Sequence, residues 1–202
     1  MKKLFLVLTM LLTVLGSTAV QAAETTAAAA AAAAVATVDS LPRVAVMIVN
    51  NGKTTYDQNI TDHEEEFFRE ALPAGRYQYI DGAPYIKKLE EMGMSDLTSA
   101  ERSDLIDAFD EGTVDYIVFM EIEPFERKER KHFMTHSIEM TTQIPFRIID
   151  VARNKYLYKG KFTEKGTNST MLGGIGSKDA ALQAMNQANK KIRTVLAERL
   201  PQ

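Results

Sequence analysis

The chain has 202 residues, 45% hydrophobic and 25% charged, with 24 basic against 27 acidic side chains and a formal net charge of −3. That composition belongs to a folded globular protein and rules out disordered, collagenous and fibrous classes. Cysteine is absent, which excludes disulfides, thiolate catalysis, cysteine-type zinc sites and a cysteine-linked lipid anchor.

Met1-Lys2-Lys3 supplies a positive start, Leu4 to Leu15 an apolar core, and Gly16-Ser17 a break before Val20-Gln21-Ala22. This is the layout of a secretory signal peptide over residues 1–22, cleaved on export to the periplasm or the exterior. Its twelve apolar residues make a helix of roughly 18 Å, too short for a hydrocarbon core of roughly 30 Å. No transmembrane segment is expected once the leader is gone. Cleavage removes Lys2 and Lys3 and no acid, leaving 22 basic and 27 acidic residues and a net charge of −5. A mildly acidic product has no electrostatic reason to bind nucleic acid. Residues 23–40, with eight successive alanines from Ala27 to Ala34, read as a spacer that offers no face large enough to dock.

Residues 41–202 are the right size for one α/β domain. Val44 to Val49 is apolar without alternation, as expected of a central strand covered on both faces. Asp62 and Glu65 form a capping-box pattern ahead of Phe67, Phe68, Ala71 and Leu72, and Pro73 stops that helix. Tyr77 to Ile80 is a short strand expected at an edge. Pro84 opens a helix that Gly93 caps, and a Thr98/Glu101 box opens another that Gly112 closes. Tyr116 to Met120 is a third strand. Ser137 to Asp150 alternates, with Ile138, Met140, Ile144, Phe146 and Ile148 against Glu139, Thr141, Gln143 and Arg147. That pattern predicts an antiparallel strand with one solvated face. Lys155 to Lys165 is a fifth strand, and Ser177 to Arg199 a helix with a seam at Ala181, Met185, Ala188, Ile192, Val195 and Leu196. The order β-α-β-α-α-β-β-β-α predicts a mixed five-stranded sheet in the order 2-1-3-4-5, with helices packed on it. In the last hairpin, matching of apolar faces predicts Ile148 opposite Tyr156 and Glu139 opposite Lys165. Val151-Ala152-Arg153 then forms the connection, with Asn154 left-handed at its exit.

The segments "RVAVMIVN", "YQYIDGAPYIKKL", "DYIVFMEIEPFE" and above all "FRIIDVARNKYLYKGKF" resemble the bacterial envelope domains of the CsgG, LpoB and TolB-amino-terminal type. The resemblance runs over roughly residues 42–200 by element order. It implies a non-catalytic module that binds another envelope protein. The missing lipidation cysteine and the lack of a long apolar hairpin pair set this chain apart from the tethered and pore-forming members.

Candidate chemistry is sparse. His132 and His136 share an i, i+4 spacing, but without an HExxH frame and at the entry to a strand they predict no metal site. Glu64-Glu65-Glu66 beside His63 reads as first-turn acid on a helix. Glu121 and Glu123 read as a solvated face. Gly173 to Ser177, with Ser177 as N-cap, is the loop that an alternative small-ligand-binding or hydrolytic domain would use. Glu126 to Lys131 reads as a charged loop, with contact to an anionic surface as its secondary role. No catalytic residue, cofactor or metal is expected. The candidate partner surface is the polar side of the last hairpin, Glu139, Gln143, Lys159, Lys161 and Lys165, with Arg127, Lys128, Arg130 and Lys131 beside it.

Overall fold

The computed structural model describes residues 41–202 apart from Ser95 and residues 132–134 and 172–174. The leader and spacer assigned to residues 1–40, together with His132, Gly173 and Gly174, lie outside the described residues.

Strand β1 (Arg43–Asn50) runs between β2 (Gln78–Asp81) and β3 (Tyr116–Ile122), parallel to both. Its unbroken apolar run follows from that position. Val44 and Val46 enter one core cluster, and Ala45 and Met47 enter the other across the sheet. All four are at most 2% exposed. Strand β2 pairs with β1 alone and is the edge, as expected.

Helix α1 (Asp57–Ala71) covers the first face of the sheet together with α4 (Ser177–Arg199). Helix α2 (Ala83–Glu91), a 3₁₀ turn (Leu97–Ser99) and the short α3 (Arg102–Asp107) cover the second. Two starts differ from the sequence expectation. Helix α1 begins at Asp57, more than a turn before Asp62, because Asn50 at the end of β1 secures that turn. The Asn50 Nδ2 donates to the Asp57 carbonyl at 2.9 Å and to Thr61 Oγ1 at 3.1 Å. Glu64, Glu65 and Glu66 therefore sit in the body of the helix rather than its first turn. The second box forms at Glu101/Asp104, not Thr98/Glu101, since Thr98 belongs to the 3₁₀ turn. Likewise Gly176, not Ser177, occupies the N-cap position of α4. The α4 seam is as expected, with Ala181, Met185, Ala188, Ile192 and Leu196 buried and Val195 half-buried.

The predicted order holds for the five anticipated strands, and a sixth joins them. Glu126–Lys131, read from sequence as a charged loop, is strand β4. It pairs antiparallel with β5 (His136–Asp150), Lys128 opposite Glu139 and Lys131 opposite His136. Strand β5 thus has β3 and then β4 along one edge and β6 (Lys155–Thr170) along the other. Every residue of β4 is exposed, so no apolar alternation marks it. The β3–β5 ladder ends at Met120↔Phe146, beside Pro145, which has no amide to donate.

The β5–β6 register differs from the expected one by two residues: Ile148 faces Tyr158, Phe146 faces Gly160 and Ile144 faces Phe162. One residue comes from the connection, which runs over four residues, Val151 to Asn154, because Asp150 pairs with Lys155. The other comes from a bulge, since Ile149 pairs with Tyr156 and Leu157 is left extra. Beyond the bulge the displacement is even, so the residues from Tyr158 onward keep their predicted faces. Inside it the displacement is one residue, so Tyr156, expected opposite Ile148, lies with Ile149 on the other face, while Leu157 joins the Ile148 side. Asn154 adopts φ 45°, the left-handed conformation anticipated for it.

Candidate interaction surface

Strands β4, β5 and β6 form a meander whose two faces differ. On one face Ile138, Met140, Ile144 and Phe146 pack under α4. Contact is closest at Gly166, where a Cβ would lie 2.0 Å from the Ala180 carbonyl oxygen. At Gly160 the missing side chain leaves room for Tyr158, whose ring lies with that of Phe162 about 6 Å from the Phe146 ring.

The opposite face is the one singled out from the sequence. The register places Lys128, Arg130, Glu139, Gln143, Lys159, Lys161 and Lys165 on it. Arg127 and Lys131 alternate to the other side of β4 and leave this set. Lys161 Nζ reaches across β5 to Glu123 Oε1 at 2.7 Å and Gln143 Oε1 at 3.0 Å. Lys165 Nζ lies 3.8 Å from Glu139 Oε2, although Glu139 itself faces Thr167. The expected ion pair survives the change of register as a diagonal one, within reach of long side chains. Among the described residues no carboxylate lies within 4 Å of Lys128, Arg130 or Lys159.

Two residues expected on a solvated face are buried. Arg147 is 8% exposed because the 3₁₀ turn closes over it. Its guanidinium donates to the Ala100 carbonyl at 2.5 Å and the Thr98 carbonyl at 2.9 Å, and lies 5.1 Å from the centre of the Phe119 ring. Glu121 is 2% exposed, and its Oε1 accepts from Thr98 Oγ1 at 2.9 Å and Asn51 Nδ2 at 3.2 Å. Glu123 alone of that pair stands at the surface, bound to Lys161.

A second polar feature was not anticipated. Glu64 is fully buried between α1 and α4, and its Oε1 accepts from Asn189 Nδ2 at 3.1 Å. Burial pushes its carboxyl up to about 8, against which the Asn189 hydrogen bond works only in part. Glu64 Oε2 and Asn189 Oδ1 have no hydrogen-bond partner. Protonation of Glu64 supplies the one donor that these two acceptors lack. His63 Nε2 stands 3.9 Å from Glu64 and 3.2 Å from Asn186 Oδ1, at the mouth of a groove that Phe67 and Arg193 also line. A signal for Glu64 does exist in the sequence: Ile60, Glu64, Phe67 and Phe68 fall on one helical stripe once the helix starts at Asp57.

The remaining candidates are bound up in local structure. His136 Nε2 lies 2.6 Å from Glu129 Oε1, and Lys131 and His136 together hold the Glu129 carboxyl below its usual range. The described end of the Gly173–Ser177 loop is tied to β6, with Asn168 Nδ2 donating to the Gly176 carbonyl at 3.3 Å.

No family model and no curated protein matches the chain. Among solved structures it is similar to lipoprotein GNA1162 from Neisseria meningitidis, at 12% identity and a TM-score of 0.43, over 75% of this chain and 98% of that one. It is similar to the hypothetical protein CT253 from Chlamydia trachomatis at 14% and 0.41, over 79% and 91%. The LpoB C-terminal domain from Escherichia coli aligns at 12% and 0.34, over 60% and 81%. Likenesses this distant assign neither a family nor a function. Among the described residues no helix is long and apolar enough to cross a membrane.

Proposed function

We propose that the chain is an exported accessory protein of a bacterial cell envelope. In this reading it catalyses no reaction and binds another envelope protein through the outer face of the β4–β5–β6 meander. The observation that carries the reading is the asymmetry of that meander. One face is filled by α4, while the other gathers Lys128 and Arg130 from β4 and Lys161 and Lys165 from β6, with no element over them among the described residues. Exposed strands with charged rows offer a template for a partner of opposite charge. The leader pattern of residues 1–22 and the resemblance of the 146–162 hairpin to envelope domains point the same way. Glu139, Gln143 and Lys159 complete the surface, and residues 23–40 extend its reach.

The test is a photocrosslinker at Thr163, in the middle of this face, in cells exporting the chain. A discrete protein adduct is expected, and it should disappear when Lys128, Arg130 and Lys165 are together changed to Glu. An adduct indifferent to that reversal, or equally strong from Lys178 at the start of α4, would overturn the reading. The mature protein is expected to begin near Ala23, and intact-mass analysis that finds Met1 retained would remove the export half of the proposal.

A further inference from the structure

We propose that the pocket between the 3₁₀ turn and the β5–β6 hairpin is an oxyanion site that seats a carboxylate from an acidic, extended segment of the partner protein. This rests on the protein-binding reading above and names the chemistry of the partner.

The pocket holds about 400 Å³ and lies where the α2–α3 layer ends and the bare face of the meander begins. Three cations converge on it. Arg147 forms its floor, a buried guanidinium with no carboxylate within 4 Å among the described residues. The two carbonyl oxygens that hold it satisfy hydrogen bonds without cancelling the charge. They engage two of the five N–H groups that a guanidinium carries. A buried charge is costly unless a counter-charge accompanies it. Arg102 and Lys159 form the walls, with the Arg102 Cζ 5.4 Å and the Lys159 Nζ 5.2 Å from the centre of the Tyr156 ring. Neither has a carboxylate within 4 Å among the described residues. Arg102 spends its Nε on Asn154 Oδ1 at 2.7 Å, another neutral group. Only one acid lines the pocket, Glu101, and its carboxylate is occupied by a backbone amide of α3 in the capping box.

Arg102 and Lys159 on the Tyr156 ring, with Arg147 beneath them against Phe119, set three cations against the single carboxylate of Glu101 and leave the pocket with an excess of positive charge. Arginine forks suit the planar, two-oxygen geometry of a carboxylate. The direction of the surface favours a polypeptide over a free ion. From Lys159 the cationic row continues along β6 through Lys161 to Lys165, on one face. Alternate residues of a strand stand roughly 6.6–6.8 Å apart. An extended segment with acids at every second position has the same repeat. Its first carboxylate would enter the pocket, and the next would meet the Lys161 row.

The test uses the protein purified from exporting cells and a six-residue peptide of alternating Glu and Thr, titrated by calorimetry. Its controls are the Gln/Thr peptide and sodium phosphate. The Glu peptide should bind, the Gln peptide should not, and phosphate should bind at least tenfold more weakly. The R102A/K159A variant removes two side chains that lie outside the core, and its fold is checked by circular dichroism. It should lose at least tenfold in peptide affinity. R147K keeps the charge but not the fork, and should lose affinity as well. Unchanged affinity in the folded R102A/K159A protein would overturn the proposal, leaving those cations as packing on Tyr156. So would phosphate binding as tightly as the peptide, or no peptide binding at all. A persistent Thr163 adduct alongside a failed titration would sink the pocket alone, whereas loss of the adduct's charge dependence would sink the reading beneath it.

Discussion

Strand β5 divides into two regions with opposite surroundings. From Ile144 to Asp150 every residue is buried, because β3 and β6 flank the strand and helices lie on both faces. From His136 to Gln143 burial alternates, since α4 covers one face and nothing covers the other. One strand thus passes from core to platform within fifteen residues. The alternation of the outer half is written in its residue types, as a half-buried strand requires. The inner half keeps the same alternation in Arg147, yet buries it, because a 3₁₀ turn nearly fifty residues earlier in sequence folds over that side. Residue polarity reports the face of a strand. What covers the face is decided elsewhere.

The sharpest way to break the comparison is at its core end. Phe146→Ala removes a fully buried ring that touches the Phe68 and Tyr158 rings, and is expected to cost about 3–5 kcal/mol in urea unfolding. On the outer face Gln143→Ala should shift the same curve by less than about 0.5 kcal/mol. Comparable losses would mean that the two halves do not differ as described. Next comes the contact that gives the meander its covered face. Gly166→Val drives a side chain into the Ala180 backbone and should cost about 3 kcal/mol by pushing α4 off β6. Hydrogen exchange should then show α4 opening before the β1–β3 core, and global unfolding without that order would count against it.

Glu64 yields a pH-dependent prediction. Its carboxyl is raised in the folded chain to about 8 from an ordinary 4.5. The folded state therefore binds a proton that the unfolded state releases. The associated stability is fully present below about pH 4.5 and is lost as pH rises toward 8, by at most about 1.4 kcal/mol per unit. Glu64→Gln keeps an acceptor for Asn189 Nδ2 and adds a permanent donor for the orphaned Asn189 Oδ1. The variant should match the parent near pH 5 and exceed it by about 1–3 kcal/mol at pH 8. A constant difference across that range would show that Glu64 is not titrating. The smallest effect belongs to the platform. Lys161→Ala gives up a half-exposed ion pair with Glu123 and should cost no more than about 0.5 kcal/mol, less in high salt.

Several features were open to reading before any fold was known. Val44 to Val49 announced a central strand because a strand covered on both sides can carry no polar alternation. The seam from Ala181 to Leu196 announced one buried helix face. Gly93 and Asn154 marked left-handed exits, and their φ values of 93° and 45° agree. Most of the candidate face was legible too, since the even register error left Glu139, Gln143, Lys159, Lys161 and Lys165 on one side. Arg127 and Lys131 were misplaced because the strand that sorts them to opposite sides, β4, was not recognised. A strand exposed on both faces leaves no apolar trace.

What the sequence determined by itself is the set of periodicities: which residues share a strand face or a helix stripe, and where turns interrupt them. These depend on neighbours within a few residues, so local composition carries them. Tertiary structure decided everything that depends on distant partners. Asn50 at the end of β1 set the start of α1 and moved Glu64 from a helix tip to the interior. A bulge at Leu157 and a four-residue turn set the register of the last hairpin, where two pairings with the same facial match competed. The Thr98–Ala100 backbone buried Arg147 and turned a surface cation into the floor of a pocket. The physical reason is the same in each case. Hydrophobic patterning fixes orientation relative to water, but a hydrogen bond needs a particular partner at about 3 Å, and only the folded chain brings that partner there.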